Sequence, residues 1–293
     1  MKKYYYLTLL LFISLNLDGQ MVISGHASGD CNCYTITNSI WQAGSIWSPE
    51  TINLNDPFDF SFELNMGNMD ASGADGLLFA LRQSGTWTGD LGGYLGYRGI
   101  ENSIGIEIDT WYNEPETLAG DISSDHVGMH SNGTVSHNLV SAIPISNMED
   151  GENHTFRVIW EPLTYSLEVI LDGISIFTYS GDLVTLFFDG NPNVYFGWTG
   201  GTGTYHNTQT VCIVSDDFTI ELIHNSPSCY GYNDGDLEVV ILGTVSDLEL
   251  IITDVDGNIV NEGNSGTVDN IESGWYYIYV SDTSGCLQTD SVY

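Results

Sequence analysis

Residues 106–113 carry the side chains of this sequence that are best suited to chemistry. Successive side chains of an extended strand point to opposite faces. One face would therefore carry four polar or aromatic groups: Glu107, Asp109, Trp111 and Asn113. Two neighbouring buried carboxylates cost several kcal/mol unless a cation compensates them. Asp121 and His126 follow closely and add a carboxylate and an imidazole. Oxygen donors suit Ca²⁺, and carboxylates with one imidazole suit Mn²⁺ or a similar transition metal. The pattern predicts a two-metal site.

The chain around these residues consists of short runs that are typical of β-strands. Residues 58–64 alternate strictly between apolar and polar side chains, as a half-buried strand does. Further strands are predicted at residues 77–81, 103–109, 155–160, 166–171, 194–198 and 211–220. No segment shows helical periodicity, and glycine and asparagine separate the runs. The sequence therefore predicts an all-β chain whose larger part is an antiparallel sandwich with a substantial core.

The predicted order along the chain is a signal peptide, a large domain and a small domain. Residues 1–19 combine a charged start, an apolar run at 7–15 and a small-residue junction, which is typical of a secretory signal peptide. The segment Asn-Ser-Pro-Ser at 225–228 marks a boundary. We expect one all-β domain over residues 20–224 and a second, smaller one over residues 225–293. No second long apolar segment follows the signal, so we expect a secreted or cell-surface protein without membrane insertion.

The charge balance restricts the partners. The chain has 39 acidic residues against five lysine and arginine residues, and a net charge of −34. Two of the five cations lie in the predicted signal, which leaves Arg82, Arg98 and Arg157. This charge excludes nucleic acid and anionic membranes as electrostatic partners, and it makes divalent cations the natural counterions.

The metal motif resembles the core of the legume-type (L-type) lectins, a family of sugar-binding proteins on a concanavalin-like jelly-roll sandwich. The resemblance covers about residues 21–223, and this region resembles the bacterial variety of the family. It implies that Mn²⁺, or another transition metal, is held by four side chains: Glu107, Asp109, Asp121 and His126. It implies that Ca²⁺ is held by Asp109, the carbonyl of Trp111, Asn113 and Asp121. The loop from Asn113 to Asp121 is a few residues longer than the family pattern.

Three other segments resemble the sugar-binding motifs of the same family. Ala-Asp-Gly at 74–76 resembles a strand start where a cis peptide precedes an aspartate, here Asp75, that accepts hydrogen bonds from sugar hydroxyls. Gly-Gly at 92–93 resembles a loop whose glycine amide, here that of Gly93, donates to the sugar. Residues 196–203 resemble a third motif, and the loop after it would supply Tyr205 and Asn207 as wall contacts.

The resemblance also gives two residues of the metal strand a role in sugar binding. Asn113 would place its oxygen on calcium and its amide nitrogen on a sugar hydroxyl. Trp111 would offer an apolar ring to the C–H face of the sugar. The expected partners are glycans of the mannose/glucose type or the galactose type. The expected function is binding without catalysis.

The small domain is similar to a repeat of large bacterial gliding-motility adhesins. The matching features are C-x-G-x-x-D-G at 229–235, G-x-Y-x-x-x-V-x-D at 274–282 and G-C at 285–286. This resemblance implies a small immunoglobulin-like β-sandwich and adds other adhesin modules to the expected partners.

Five cysteines in an exported protein are disulfide candidates before they are metal ligands. Cys229 and Cys286 bracket the small domain and are predicted to pair. Cys33 lies on the first strand of the lectin-like region and Cys212 on its last strand, and these two form the second predicted pair. Cys31 would then be left over.

Two other functions are alternatives to sugar binding. A glycoside hydrolase on the same sandwich carries E-x-D-x-x-E, and retaining hydrolysis needs two carboxyls about 5–5.5 Å apart. Here Tyr112 occupies the third acidic position, and Glu114 and Glu116 lie further on. A structural adhesin stalk that has lost sugar binding is the second alternative, and the retained Asp75 and Asn113 argue against it. Residues 254–258, Asp-Val-Asp-Gly-Asn, are predicted to form a hairpin turn rather than a calcium loop.

Overall fold

A computed structural model of the protein describes residues 20–30, 32–85, 87–114, 120–213, 218–229, 231–243, 248–263, 266–281 and 287–293. The predicted signal peptide lies outside these residues, as do Cys31 and Cys286. The chain forms two compact units. The first contains Met21–Ser28 and Tyr34–Ile213, and the second contains Gly29–Cys33 and Val214–Tyr293. Within the described part of the chain, no helix is both long and apolar enough to cross a membrane.

Short strands joined by turns build the larger part of the chain, as the sequence predicts. The strands are β1 Val22–Gly25, β2 Ser28–Asp30, β3 Cys33–Thr37, β4 Ala43–Trp47, β5 Ile52–Asn53, β6 Phe58–Asn65, β7 Gly76–Arg82, β8 Ser103–Asp109, β9 His126–Ser131, β10 Val140–Pro144, β11 His154–Glu161, β12 Ser166–Leu171, β13 Ile174–Ser180, β14 Asn193–Gly201 and β15 Gln209–Ile213. Among the described residues of this part, two short helices interrupt the strands, a 3-10 helix at Gly92–Tyr94 and α1 at Leu183–Phe187.

These strands form two sheets. The eight-stranded sheet has the order β1-β4-β14-β7-β8-β9-β10, with β5 beside β14. The seven-stranded sheet has the order β13-β12-β11-β6-β15-β3-β2. Strands that are neighbours in the two sheets are often distant in sequence, such as β14 beside β7. The predicted all-β sandwich is confirmed.

The apolar core lies between the two sheets because the strands alternate as predicted. Along β6 every second side chain is buried, which places Phe60, Phe62 and Leu64 in the core. Trp198 of β14 meets Phe62 with ring centroids 5.2 Å apart and Phe79 of β7 at 5.6 Å. Burial of each such side chain contributes about 1.5–3 kcal/mol.

A second apolar cluster covers the other face of the eight-stranded sheet. It contains Trp47, Leu78, Ala80, Leu95, Tyr97, Ile100 and Val135. Strand β8 is consequently buried along its whole length. Its isoleucines point into the core between the sheets. Glu107 and Asp109 therefore point toward the covered outer face, where they are 0% and 2% exposed.

The second unit is a separate all-β body. Its strands are β16 Phe218–Asn225, β17 Gly235–Gly243, β18 Glu249–Thr253, β19 Ile259–Gly263, β20 Thr267–Ile271, β21 Tyr276–Ser281 and β22 Leu287–Val292. They form the sheets β16-β17-β20 and β19-β18-β21-β22. Side chains of both sheets, including Leu237, Ile252 and Ile278, share one core. The resemblance to an immunoglobulin-like adhesin repeat stays a prediction.

The structure corrects the predicted elements at two places. Residues 211–220 are not one strand, since β15 ends at Ile213 and β16 pairs along its length with β17. Strand β16, which precedes the boundary predicted at residue 225, therefore belongs to the second unit. Helix α1 was not predicted. Its cap, Asp182, accepts a hydrogen bond from the Thr185 amide at 3.2 Å, which stabilises a turn too short to show periodicity.

The predicted hairpin turn at 254–258 is confirmed. Asp254 Oδ1 accepts hydrogen bonds from the amides of Asp256 at 3.0 Å and Asn258 at 2.8 Å, between β18 and β19. This carboxylate is engaged by the turn itself.

One of the two predicted disulfides is confirmed. Cys33 of β3 and Cys212 of β15 are disulfide-bonded, and their strands are neighbours in the seven-stranded sheet. The predicted pair of Cys229 with Cys286 is not formed, because Cys229 is exposed and carries a free thiol.

Candidate functional site

The register of three neighbouring strands assembles the predicted residues. Asp109, at the end of β8, lies opposite Gly76 of β7 on one side and His126 of β9 on the other. Asp75 immediately precedes β7 and stands beside the same end of the sheet. The Asp75 carbonyl accepts a hydrogen bond from the Thr110 amide at 2.9 Å. Residues as far apart in sequence as Asp75 and His126 therefore meet at one end of these strands.

The four side chains predicted to hold a transition metal lie together. His126 Nε2 is 3.4 Å from Glu107 Oε1 and 3.6 Å from Asp121 Oδ1. Asp109, Asp121 and His126 each place one donor atom within 4.8 Å of the others. None of these side chains is more than 2% exposed.

Backbone amides hold the loop after β8 onto this cluster. The Trp111 amide donates to Asp109 Oδ1 at 2.8 Å, and the Asn113 amide donates to Asp121 Oδ2 at 2.6 Å. Each bond occupies one lone pair of its carboxylate. Hydrogen bonds thus connect the predicted calcium ligands in pairs, Trp111 with Asp109 and Asn113 with Asp121.

Two histidines that the sequence analysis missed complete the cluster. His130 Nε2 lies 2.5 Å from Glu107 Oε2, and His137 Nε2 contacts Glu107 Oε1. A sequence signal existed for His130, because it stands four positions after His126 on β9 and so faces the same side. His137 follows a turn beyond the strand, and no spacing in the sequence relates it to Glu107.

The carboxylates perturb each other. Burial would raise the pKa of the Glu107 carboxyl, but the facing imidazoles, His130 first, hold that pKa well below its ordinary value. Burial, Glu107 and Asp121 together raise the pKa of Asp109 well above its ordinary value. Burial likewise raises the pKa of Asp121, against hydrogen bonds that lower it. A divalent cation would relieve this repulsion by compensating the charge.

The polar atoms of the cluster fit such a cation. The buried atoms without an aligned hydrogen bond to a described residue include both Glu107 oxygens, Asn113 Oδ1, Asp121 Oδ1 and His126 Nε2. Each such atom costs about 1–3 kcal/mol when it lacks a partner. His126 Nδ1 donates to the Ser124 carbonyl at 3.0 Å, so its Nε2 carries the lone pair that a metal requires. The donor set of carboxylates, one amide oxygen and imidazole suits a calcium and a transition-metal position.

The predicted sugar-binding residues surround Asp75. The Ala74–Asp75 peptide bond is cis, as the resemblance implies. Asp75 is 4% exposed, and its Oδ2 has no aligned hydrogen bond within the described residues. Burial raises the pKa of Asp75 to about 7, although the Gly203 amide opposes the shift.

Two loops and an aromatic pair form the surroundings of this aspartate. The amide of Gly92, next to Gly93, donates to the Thr202 carbonyl at 3.1 Å and joins the glycine loop to the end of β14. The rings of Trp111 and Tyr205 lie 4.5 Å apart at 30°, and Tyr205 is 45% exposed. This exposed aromatic surface is suited to apolar C–H groups of a sugar.

The predicted contact of Asn207 with a ligand is wrong. Asn207 is 1% exposed, and its Nδ2 donates to Glu149 Oε1 at 2.6 Å. Its amide lies against Gly67 and Gly73, where a Cβ atom would meet it at 2.2 and 2.1 Å. Asn207 is a packing residue below the loop that leads to Asp75.

Tyr112 is the residue that departs from the hydrolase motif. Tyr112 is 39% exposed at the place where E-x-D-x-x-E needs its second glutamate. Glu114 is exposed on the following loop, and Glu116 lies outside the described residues.

Comparison with known proteins identifies related sequences and folds. Residues 13–215 match a family described as the legume lectin beta-barrel domain. The fold is similar to that of lectin II from Ulex europaeus, with a TM-score of 0.57 and 23% identity over 66% of this chain and 90% of that one. It is also similar to a lectin from Bauhinia forficata in complex with GalNAc, with a TM-score of 0.54 and 20% identity over 69% and 91%.

The chain also matches curated proteins by sequence. The pesticidal crystal protein Cry22Aa of Bacillus thuringiensis is 35% identical over 96 residues, which are 32% of this chain and 13% of that protein. A serine-rich adhesin for platelets of Staphylococcus aureus strain MSSA476 is 25% identical over 238 residues, 70% of this chain and 10% of that protein. The chain thus spans 13% or less of the length of these relatives.

Proposed function

Because the chain belongs to the legume lectin (L-type) domain family, we propose that it is a secreted or cell-surface lectin that binds glycans reversibly, depends on bound metal and performs no catalysis. The observation that carries this proposal is the position of Asp75. Its buried carboxylate has an oxygen without an aligned hydrogen bond to the described residues, and it stands beside the metal cluster, the glycine loop and the pair formed by half-buried Trp111 and exposed Tyr205.

The proposed site divides binding among several groups. Asp75 accepts hydrogen bonds from sugar hydroxyls, and Gly93 and Asn113 donate to the sugar. Trp111 and Tyr205 cover its apolar face, where ring stacking contributes more than buried area alone. We assign no catalytic residue, because Tyr112 replaces the acid that a retaining hydrolase requires.

Bound cations would supply fixed positive charge to this arrangement. We propose that Glu107, Asp109, Asp121 and His126 hold a transition metal, and that Asp109, Trp111, Asn113 and Asp121 hold calcium. The charge would neutralise the crowded carboxylates, since burial above all, and then the neighbouring carboxylates, raise the pKa values of Asp109 and Asp121. The Asn113 side chain, whose oxygen has no aligned hydrogen bond in the described structure, would then be held in place to donate its amide to the sugar.

The ligand class proposed first is galactose and N-acetylgalactosamine. Similar folds include a lectin, UEA-II, complexed with galactose and a Bauhinia lectin in complex with GalNAc. Mannose and glucose are the second class. We propose further that the second unit is an adhesin-type module and that several copies of the binding site act together, because multivalency raises weak single-site affinities by about 10²–10⁴. The disulfide of Cys33 with Cys212 supports an extracellular location.

A titration of metal-loaded protein with galactose, GalNAc and mannose tests the proposal. We expect Asp75→Asn to abolish binding of the preferred sugar while the metal content stays that of the wild type. The matched control is Asp56→Asn on an exposed turn of the same unit, which should bind like the wild type. Wild-type affinity in the Asp75 variant would refute the assignment, and loss of metal with loss of sugar would make Asp75 structural.

A further inference from the structure

Three imidazoles face the carboxylate of Glu107, although the family pattern requires only one of them. Beside His126, the side chains of His130 and His137 approach its two oxygens, and they are 0% and 6% exposed. The rings of His126 and His137 lie 5.3 Å apart, and those of His130 and His137 lie 4.9 Å apart. A buried cluster with this composition differs from an oxygen-rich site with one imidazole.

The hydrogen bonds of His130 show that it does not offer a lone pair to the cluster. Its Nδ1 accepts from the amides of Ser136 at 3.2 Å and His137 at 2.9 Å. Since an amide nitrogen can only donate, Nδ1 is unprotonated, and the proton of the neutral ring is on Nε2. That protonated nitrogen faces Glu107 Oε2. His130 therefore constrains the carboxylate and leaves Oε1 turned toward the other imidazoles.

His137 differs from His130 at Nδ1, which no backbone amide of the described residues engages. Neither of its ring nitrogens makes an aligned hydrogen bond to a described residue, and its side chain is buried. Its Nε2 contacts Oε1 of Glu107, which is the oxygen that also faces His126 Nε2. Two imidazole nitrogens thus approach the same oxygen, Glu107 Oε1, and one of them, His126 Nε2, also lies 3.6 Å from Asp121 Oδ1.

The packing around His137 is shaped to hold this position. A Cβ atom on Gly128 would lie 2.5 Å from His137 Cδ2 and 2.8 Å from Glu107 Oε1, so only glycine leaves room for both side chains. His137 also has a φ of 51°, in the left-handed region that non-glycine residues seldom adopt. The surrounding turn fixes the residue in that conformation.

We propose that His137 is a fifth protein ligand of the transition-metal site and that His130 is a positioning residue for Glu107. The second imidazole shifts the preference of the site from Mn²⁺ toward Zn²⁺, because nitrogen donors suit later transition metals and oxygen donors suit Mn²⁺. The inference rests on the metal-dependent part of the proposed function and adds which metal the site selects.

Metal titrations of variants test the proposal. Calorimetry measures the binding of Zn²⁺ and of Mn²⁺ to five metal-stripped proteins. These are the wild type, His137→Ala, His137→Gln, His130→Ala and the control His154→Ala. His154 is a suitable control because it pairs with Asp150 and Asp172 on the seven-stranded sheet. Co²⁺ serves as a spectroscopic probe, since its visible absorption responds to the number of nitrogen ligands. Circular dichroism verifies that each variant is folded.

The two histidines should give different results. Both His137 variants should lose about 100-fold in Zn²⁺ affinity, or more, with a much smaller change for Mn²⁺, and should change the Co²⁺ spectrum. His130→Ala should lower the affinity for Zn²⁺ and for Mn²⁺ by a similar factor, about 10–100-fold, as is usual when a hydrogen bond to a metal ligand is removed. His154→Ala should match the wild type.

Unchanged Zn²⁺ affinity and an unchanged Co²⁺ spectrum in a folded His137 variant would overturn the proposal, as would equal loss of both metals. A wild type that binds no transition metal would also overturn it. A parallel titration with galactose keeps the two proposals apart. If the protein binds sugar but the His137 substitutions leave its Zn²⁺ affinity unchanged, only this inference is refuted. If the His137 substitutions weaken Zn²⁺ binding as expected but the wild type binds none of the tested sugars, only the lectin function is refuted.

Discussion

The buried carboxyl of Glu149 makes a specific prediction about stability and pH. Glu149 is 2% exposed, and Asn207 Nδ2 donates to its Oε1 at 2.6 Å. Burial raises its pKa from 4.5 to about 7. The folded state therefore favours the protonated acid, and stability is lost as the pH rises from the unfolded pKa through the folded pKa. Glu149→Gln removes the charge and keeps an oxygen for Asn207.

The magnitude follows from the shift. A shift of about 2.5 units corresponds to an upper limit of about 3.4 kcal/mol at 1.36 kcal/mol per unit. Solvent near the group and relaxation of its surroundings reduce this, and we take about 1–2 kcal/mol. In a domain of this size that is about 2–8 °C in Tm. The change in Tm that Glu149→Gln causes should therefore be more positive at pH 8 than at pH 5 by this amount.

Thermal unfolding of metal-stripped protein at pH 5, 6, 7 and 8 measures the effect without interference from metal binding. The matched control is Glu152→Gln, at a glutamate three residues away, which should change Tm little because its side chain is exposed. A difference between wild type and Glu149→Gln that is equal at pH 5 and pH 8 would refute the reasoning. An advantage of the variant over the wild type in Tm that shrinks as the pH rises would do the same.

Two further predictions concern the site. Burial raises the pKa of Asp75 to about 7. Only the ionised carboxylate accepts hydrogen bonds from two hydroxyls, so galactose affinity should fall about tenfold from pH 8 to pH 6 at constant metal content. An affinity that stays constant over this range, measured by calorimetry with the metal content checked, would contradict the role of Asp75. Gly128→Ala forces a methyl group against His137 and Glu107, so it should cost about 1–3 kcal/mol of stability and weaken transition-metal binding. Gly274→Ala is the control, because the Cβ position of Gly274 has open space around it, and it should lower neither the stability nor the metal affinity. Equal behaviour of the two variants in thermal unfolding and metal titration would disprove the packing argument.

Local periodicity explains how much of the fold is visible in the sequence. Strand β8 occupies residues 103–109 as predicted, because its isoleucines alternate with polar or small residues and face the core. The same alternation places Glu107 and Asp109 on one face. The boundary of the second unit could not be found this way, because Phe218–Asn225 has an ordinary strand pattern and only its pairing with β17 decides where it belongs.

The candidate site was predictable where its residues share a strand or a motif. The metal residues on β8 and His126 on β9 belong together through spacing and resemblance. His130 obeys the same period of two but was overlooked, whereas His137 reaches Glu107 only through the turn after β9. Asn207 was misassigned because its burial against Glu149 depends on packing between distant segments.

A galactose titration before and after metal removal tests the central claim, a sugar site held by bound metal. The titration is run on loaded protein, on protein stripped by a chelator with removal confirmed by elemental analysis, and on stripped protein reloaded with Ca²⁺ and a transition metal. The account predicts binding in the first sample, none in the second and recovery in the third. Undiminished galactose binding by fully stripped protein would contradict it.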